Sequence, residues 1–531
     1  MKRCLRLCTL LLLSLVACQP AADENATLAP TPLATTVGLA TVEPTSPVAE
    51  SPSVSHTPAG PSPTATSATE PTAPTIPPGP LPDAAAQTLL YQLTGDDGLG
   101  VYDAAEAIQA SGDSRFVAAF IELIRASQLN LSFVNPDYWA YHAGQLAGVD
   151  LGADWAAWID WYGASDLTPP PGFTGWKGEL LGRIDPLFAD FLADDLPSNI
   201  RVEEIQWGGV RVDGIPALDH ALQIPAAEAT YLEPGEPVFG IALNGEAHAY
   251  PLRIIDWHEM ANDTVGGVPL SLAYCTLCGA AIAYHGVGSD GVTYDFGSSG
   301  FLYRSNKLMY DRQTRTLWNQ LTGEPVLGPL AGTGVKLELL PVVLTSWAAW
   351  QAQHPETLVL DINTGFDRPY EVGAAYGAYF ASNGTMFPVW QRSDLLETKA
   401  QVYALTIDGT AKAYPLELLT AEEVVNDTLA GQELVLVARR GFVEADGQDR
   451  RFGPISYAAG AEVRVFARDG HTFTPGEALD ELVDETGRIW TITEAALVSA
   501  DGSELPRISG HLAYWFGWFA FFPNTLVYGE S

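Results

Sequence analysis

The sequence predicts an α+β protein: a small α-helical region followed by two tandem, duplicated, β-dominated modules. Three observations predict it. Apolar residues recur at helical spacing between about 83 and 195. Asn-Gly and Asp-Gly pairs then stand between alternating apolar runs, the pattern of tight β-hairpins. From about residue 236 onward the second half of the chain repeats the first.

In the helical region, Phe116, Phe120, Leu123 and Ile124 share one stripe, and Asp113 or Ser114 can cap its start. Trp155, Trp158, Ile159 and Tyr162 form a second stripe. Asp185-Pro186 opens a third, with Pro in its first turn. In the repeat, Val238-Phe-Gly-Ile-Ala-Leu-Asn-Gly-Glu-Ala-His-Ala-Tyr-Pro-Leu252 matches Val402-Tyr-Ala-Leu-Thr-Ile-Asp-Gly-Thr-Ala-Lys-Ala-Tyr-Pro-Leu416. Asn262-Asp263-Thr264 matches Asn426-Asp427-Thr428, and Trp347, Trp350, Pro355 and Thr357 match Trp515, Trp518, Pro523 and Thr525. Each module reads as a hairpin, a short helix after Pro251 or Pro415, a β-rich stretch and a closing Trp-bearing segment. The boundaries are 1–18, 19–80, 81–199, 200–394 and 395–531: signal, tether, helical region, first module and second module.

The signal places the chain outside the cytoplasm. Lys2, Arg3 and Arg6 precede a short apolar core, and Leu15-Val16-Ala17-Cys18 resembles a bacterial lipobox. Cys18 is then the lipidated N-terminus, and the expected localisation is lipid-anchored at the bacterial membrane. Residues 19–80 are rich in Pro, Thr, Ser and Ala and lack the apolar surface to offset ordering. They read as a tether reaching on the order of 100 Å. The formal net charge is -37, from 64 acids against 27 Lys and Arg, which argues against a nucleic-acid partner.

Chemistry concentrates in Ala273-Tyr274-Cys275-Thr276-Leu277-Cys278-Gly279. Cys275 and Cys278 are the only cysteines beyond the N-terminal segment. A strand ending at Cys275 and a turn through Gly279 would present both sulfurs. His258 shares a stripe with Ile254 and Ala261 and faces inward. Cys275, Cys278 and His258 are absent from the second module, where Arg439-Arg-Gly-Phe442 and Glu422 stand; Glu259 recurs as Glu423 and reads more as scaffold than acid. Three uses of the pair remain open. One is a redox dithiol, with Cys275 or Cys278 attacking and His258 setting its charge. Another is a copper or zinc site on Cys275, Cys278 and His258, with Met309, His285 or Asp311 as fourth ligand. The third is a tight disulfide, whose small loop constrains the unfolded chain little. Arg304, Asn306, Lys307 and Asp311 are candidates to line a pocket beside the sulfurs. A non-catalytic binding module with an acidic, Trp-rich surface is the alternative to all three.

Ala249-Tyr-Pro-Leu-Arg253, Asp256-Trp-His-Glu-Met260, the Cys275/Cys278 run, Phe296-Gly-Ser-Ser-Gly-Phe-Leu-Tyr-Arg-Ser-Asn-Lys-Leu-Met-Tyr-Asp311 and Leu317-Trp-Asn-Gln320 resemble the bacterial family of the domain of unknown function 3179, over about 184–528. The resemblance carries no established activity. It implies a reacting thiol in one respect: relatives with selenocysteine inside the C-x-x-C segment resemble redox selenoproteins.

Overall fold

The structure is a computed structural model that describes residues 79–530. The signal, Cys18 and all but the end of the tether lie outside the described residues. No helix among the described residues is long and apolar enough to cross a membrane.

Seven helices run from Asp83–Gln92 to Leu187–Phe191. Asp113 caps the start of the first stripe, Ser114–Phe116, through Arg115 N, and Asp154 caps Trp155–Gly163 through Ala157 N. Pro136 opens its helix behind the Asn135 cap. Phe116, Phe120, Leu123, Ile124, Trp158, Ile159 and Tyr162 are buried together in one apolar cluster, as the periodicity predicts. Lys177 is fully buried, bonded to Glu122 at 2.6 Å and to the carbonyl oxygens of Val202 and Ile205. That contact ties the helices to the start of the β-rich part.

The β-rich first module holds three five-stranded sheets. One is the sheet of Pro237–Leu243 and Glu246–Pro251, whose hairpin turns through Asn244 and Gly245 at positive φ. A second contains Met260–Val265, Val268–Cys275 and Ala280–His285 as neighbours. The third contains Phe296–Tyr303 and Asn306–Asp311. Cys275 pairs with Ala280, so the Cys-Thr-Leu-Cys-Gly segment is the turn joining two central strands of the second sheet.

The second module repeats these contacts with different residues. Asp408-Gly409 makes its hairpin turn. Asn262 clamps Phe296 through both backbone groups, and Asn426 clamps Phe473 likewise. Tyr250 donates to Asp263 at 2.7 Å, and Tyr414 to Asp427 at 2.8 Å. Trp350 donates to Thr357 at 2.9 Å, and Trp518 to Thr525 at 2.9 Å. The recurring residues are therefore framework. A late strand and the last helix of the second module, His511–Tyr514 and Trp515–Phe519, turn back onto the first module: Tyr514 N donates to Cys278 O at 2.7 Å.

Candidate functional site

The alternation of Val268–Cys275 brings Cys275 to the strand end, and Cys278 N returns to Cys275 O at 3.2 Å to close the turn. Gly279 takes the positive φ that follows. Both cysteines are free thiols, and both are buried, at 1% and 0% exposure. Buried Gln320 holds the turn from within, donating to Ala273 O at 2.9 Å and to Ala280 O at 3.0 Å. Its Oε1 accepts from Asn306 at 2.8 Å.

The hairpin turn before Asn306 wraps the pair. Arg304 and Ser305 both sit at positive φ without being glycine, a strained placement that needs support from outside the turn. Its product is a set of polar groups on sulfur. The Cys278 thiol has Ser305 O at 3.3 Å and the Cys275 sulfur as acceptors. Lys307 N–H and Cys278 N–H donate to the Cys275 sulfur, and the Asn306 side chain donates to Cys278. Burial raises the Cys275 thiol, but the Cys278 thiol and these backbone donors outweigh it and pull it below the ordinary value. Burial drives Cys278 well above that value, and its bond to Cys275 adds to this. The two sulfurs are inequivalent: their surroundings lower one thiol and raise the other.

The nearest acid is Glu259. It accepts from Thr276 Oγ1 at 3.0 Å and pairs with Lys307 Nζ at 3.2 Å, and its charge raises both thiols. Glu259 sits at φ 54 and Glu423 at φ 63; Tyr274 N donates to Glu259 O and Ala438 N to Glu423 O, each at 2.8 Å. The recurrence from which sequence reasoning read scaffold is a recurrence of backbone. The side chains diverge: Glu423 lies 3.7 Å from Arg439, which stands where the first module has Cys275.

The other candidates are placed as follows. His258 is buried beside Glu259, but its ring bonds Pro216 O at 2.8 Å and Tyr370 Oη at 2.6 Å, with no bond to either sulfur. Burial lowers its pKa to about 4, so it is the neutral imidazole that fits there. Among the described residues no group of three or more His, Cys, Asp or Glu could hold a metal ion. Met309 lies in the same apolar cluster as the cysteines, and His285 accepts from Val287 N at the far end of its strand. Asp311 takes Trp318 Nε1 at 2.8 Å, as Asp484 takes Trp490 Nε1 at 3.0 Å, which makes it framework. Arg304 pairs with Glu204 and donates to Ala520 O at 2.8 Å, bracing the strained turn. Asn306 and Lys307 are the two pocket candidates brought to the sulfurs.

Cover over the pair comes from the closing stretch of the first module, around residues 376–388. Tyr379 donates to Leu277 O at 2.6 Å, Tyr376 bonds Thr276, and Ser305 donates to Pro388 O at 2.6 Å. Lys399 sits 3.7 Å over the Tyr379 ring and 4.8 Å over that of Tyr514. Sequence reasoning missed these residues because no spacing along the chain brings them to Leu277.

The family described as Protein of unknown function (DUF3179) matches residues 212–525, more than half of the chain. The chain belongs to that family. No curated protein and no solved structure matches it. The DUF3179 match spans both modules, so the unequal pair, one with the dithiol and one with Arg439, falls inside the family's unit.

Proposed function

We propose that the protein is an extracytoplasmic thiol–disulfide redox protein, anchored through lipid at Cys18, with Cys275 as attacking thiolate and Cys278 as resolving thiol. The observation that supports this is the asymmetry of donors. Backbone N–H groups and the Cys278 thiol converge on Cys275, while Cys278 keeps its proton. A thiolate attacks and a thiol does not, so one sulfur is prepared and the other held in reserve. Glu259 and Lys307 take the place beside the sulfurs that the sequence offered to His258. Cover by Tyr376 and Tyr379 makes the dithiol a gated one.

The test is a titration of purified protein in glutathione buffers of graded potential, followed by thiol trapping and mass measurement. A reversible Cys275–Cys278 disulfide with a potential above about -300 mV is expected. A pair that never oxidises, or one locked below that potential, rejects the reading. Metal analysis of the same preparation completes it: stoichiometric zinc or copper lost in Cys275→Ser rejects it as well.

A further inference from the structure

A resolving thiol that is buried and holds its proton needs somewhere to send it. We infer that Glu259 and Asp256 form a proton-transfer pair that carries the Cys278 proton out of the buried site. The inference rests on the redox reading above and adds the route by which that chemistry is completed.

Asp256 is a buried acid of the first module. It is 2% exposed, and its Oδ1 has no hydrogen-bond partner among the described residues. It lies on the helix Leu252–His258, one turn before Glu259, whose charge acts on it. Burial, with Glu259 second, holds the carboxyl well above the usual range. The phenols of Tyr274, Tyr376, Tyr457 and Tyr514 face it from four other elements and register its charge. Tyr274, Tyr457 and Tyr514 line a recess together with Gly279, next to Cys278, and Gln401, whose Oε1 is also unpartnered. The sister module keeps Glu423 but has Thr420 in place of Asp256, bonded to its own helix at Leu416 O. An unpartnered buried carboxyl found only in the module with the dithiol points to that dithiol.

The charges close at each step. The Cys275 thiolate attacks one sulfur of a partner's disulfide; that S–S bond breaks and one partner thiolate leaves. The chamber now holds the Glu259–Lys307 ion pair and a neutral mixed disulfide. The Cys278 Sγ–H proton passes to Glu259, and Cys278, now thiolate, attacks the Cys275 sulfur. The second partner thiolate leaves, and the Cys275–Cys278 disulfide is complete. Lys307 beside a protonated Glu259 would leave one net positive charge in a buried place. That imbalance drives the proton onto the free Oδ1 of Asp256, which releases its own proton by way of the phenol-lined recess to water, where the departed partner thiolate takes it up.

The experiment uses the full chain and dithiodipyridine, a small aromatic disulfide that releases one coloured thione per thiol step. The first release reports attack by Cys275, the second resolution by Cys278. In Asp256→Asn the first release is expected at the wild-type rate; in Glu259→Gln it is expected to change, because the charge that raises the Cys275 thiol is removed. The second is expected to slow about a hundredfold, with a rate that climbs with hydroxide instead of levelling. A second release at the wild-type rate in both variants overturns the inference. So does a slower release with an unchanged pH profile, which a purely structural role would give. A wild-type protein that gives no second release defeats the redox reading itself, and the two failures are thereby separate.

Discussion

Cys275 and Cys278 are three residues apart and equally buried, yet the groups around them push their protons in opposite directions. The same attention to single side chains gives two stability predictions. Asp256 is raised when folded, so the folded chain keeps a proton that the unfolded chain releases near pH 4. Its stability contribution is full below that pH and lost as pH rises toward the folded value. Asp256→Asn is therefore expected to raise stability at pH 7 by about 1 kcal/mol or more, read as a higher thermal midpoint, with the gain vanishing below about pH 4. A lowered midpoint at pH 7 would make the carboxyl a structural partner. His248 is the opposite case in charge. Burial lowers it, but Asp263 at 3.2 Å and Glu246 at 2.7 Å outweigh that and hold it raised. The pair stabilises fully below about pH 6.5 and fades as pH rises through the raised folded value. The second module has Lys412 in the same place, 2.6 Å from Asp427. His248→Lys is expected to carry the stabilisation past pH 8, and His248→Ala to cost about 2 kcal/mol at pH 6; melting curves across pH check both. At this scale the sequence exposed the cysteines, Asn306 and Lys307. It hid Glu259 because a recurring letter does not say whether backbone or side chain is what recurs.

At the scale of elements, the hairpins, the helix after each Pro and the strand ending at Cys275 were legible because local rules set them: positive φ at Asn244-Gly245, two-residue alternation, fixed φ at Pro. The covering segment was not. Its one helix, Gly377–Phe380, is too short to leave a periodic pattern, and its hold on Leu277 is a contact between residues 102 apart in sequence. That hold is a single neutral hydrogen bond from a ring already gripped by Lys399. Tyr379→Phe removes the bond and keeps the ring. The loss, about 1 kcal/mol, is expected to speed alkylation of Cys275 by a small reagent roughly fivefold at fixed pH. Unchanged alkylation would mean that the sulfurs are reached by another way, and that this segment is not their gate.

For the whole molecule, duplication has produced two framework-equivalent modules of which the second serves the site of the first. Its strand His511–Tyr514 donates Tyr514 N to Cys278 O, and its last helix brings Gly517 against the same residue. A methyl group at Gly517 would stand 3.0 Å from Cys278 Cβ and 3.2 Å from its sulfur, closer than ordinary contact. A side chain is excluded there by a residue more than two hundred positions away in the other module, a constraint that neither module's own pattern could reveal. Gly517→Ala is accordingly expected to cost about 1–3 kcal/mol by overpacking. If the cost comes from Cys278, it shrinks when the sulfur is removed. The double variant with Cys278→Ala should then be more stable than the sum of the single changes by about 1 kcal/mol, a coupling that thermal melting of the four proteins measures. Strict additivity would place the strain elsewhere and uncouple the second module from the dithiol.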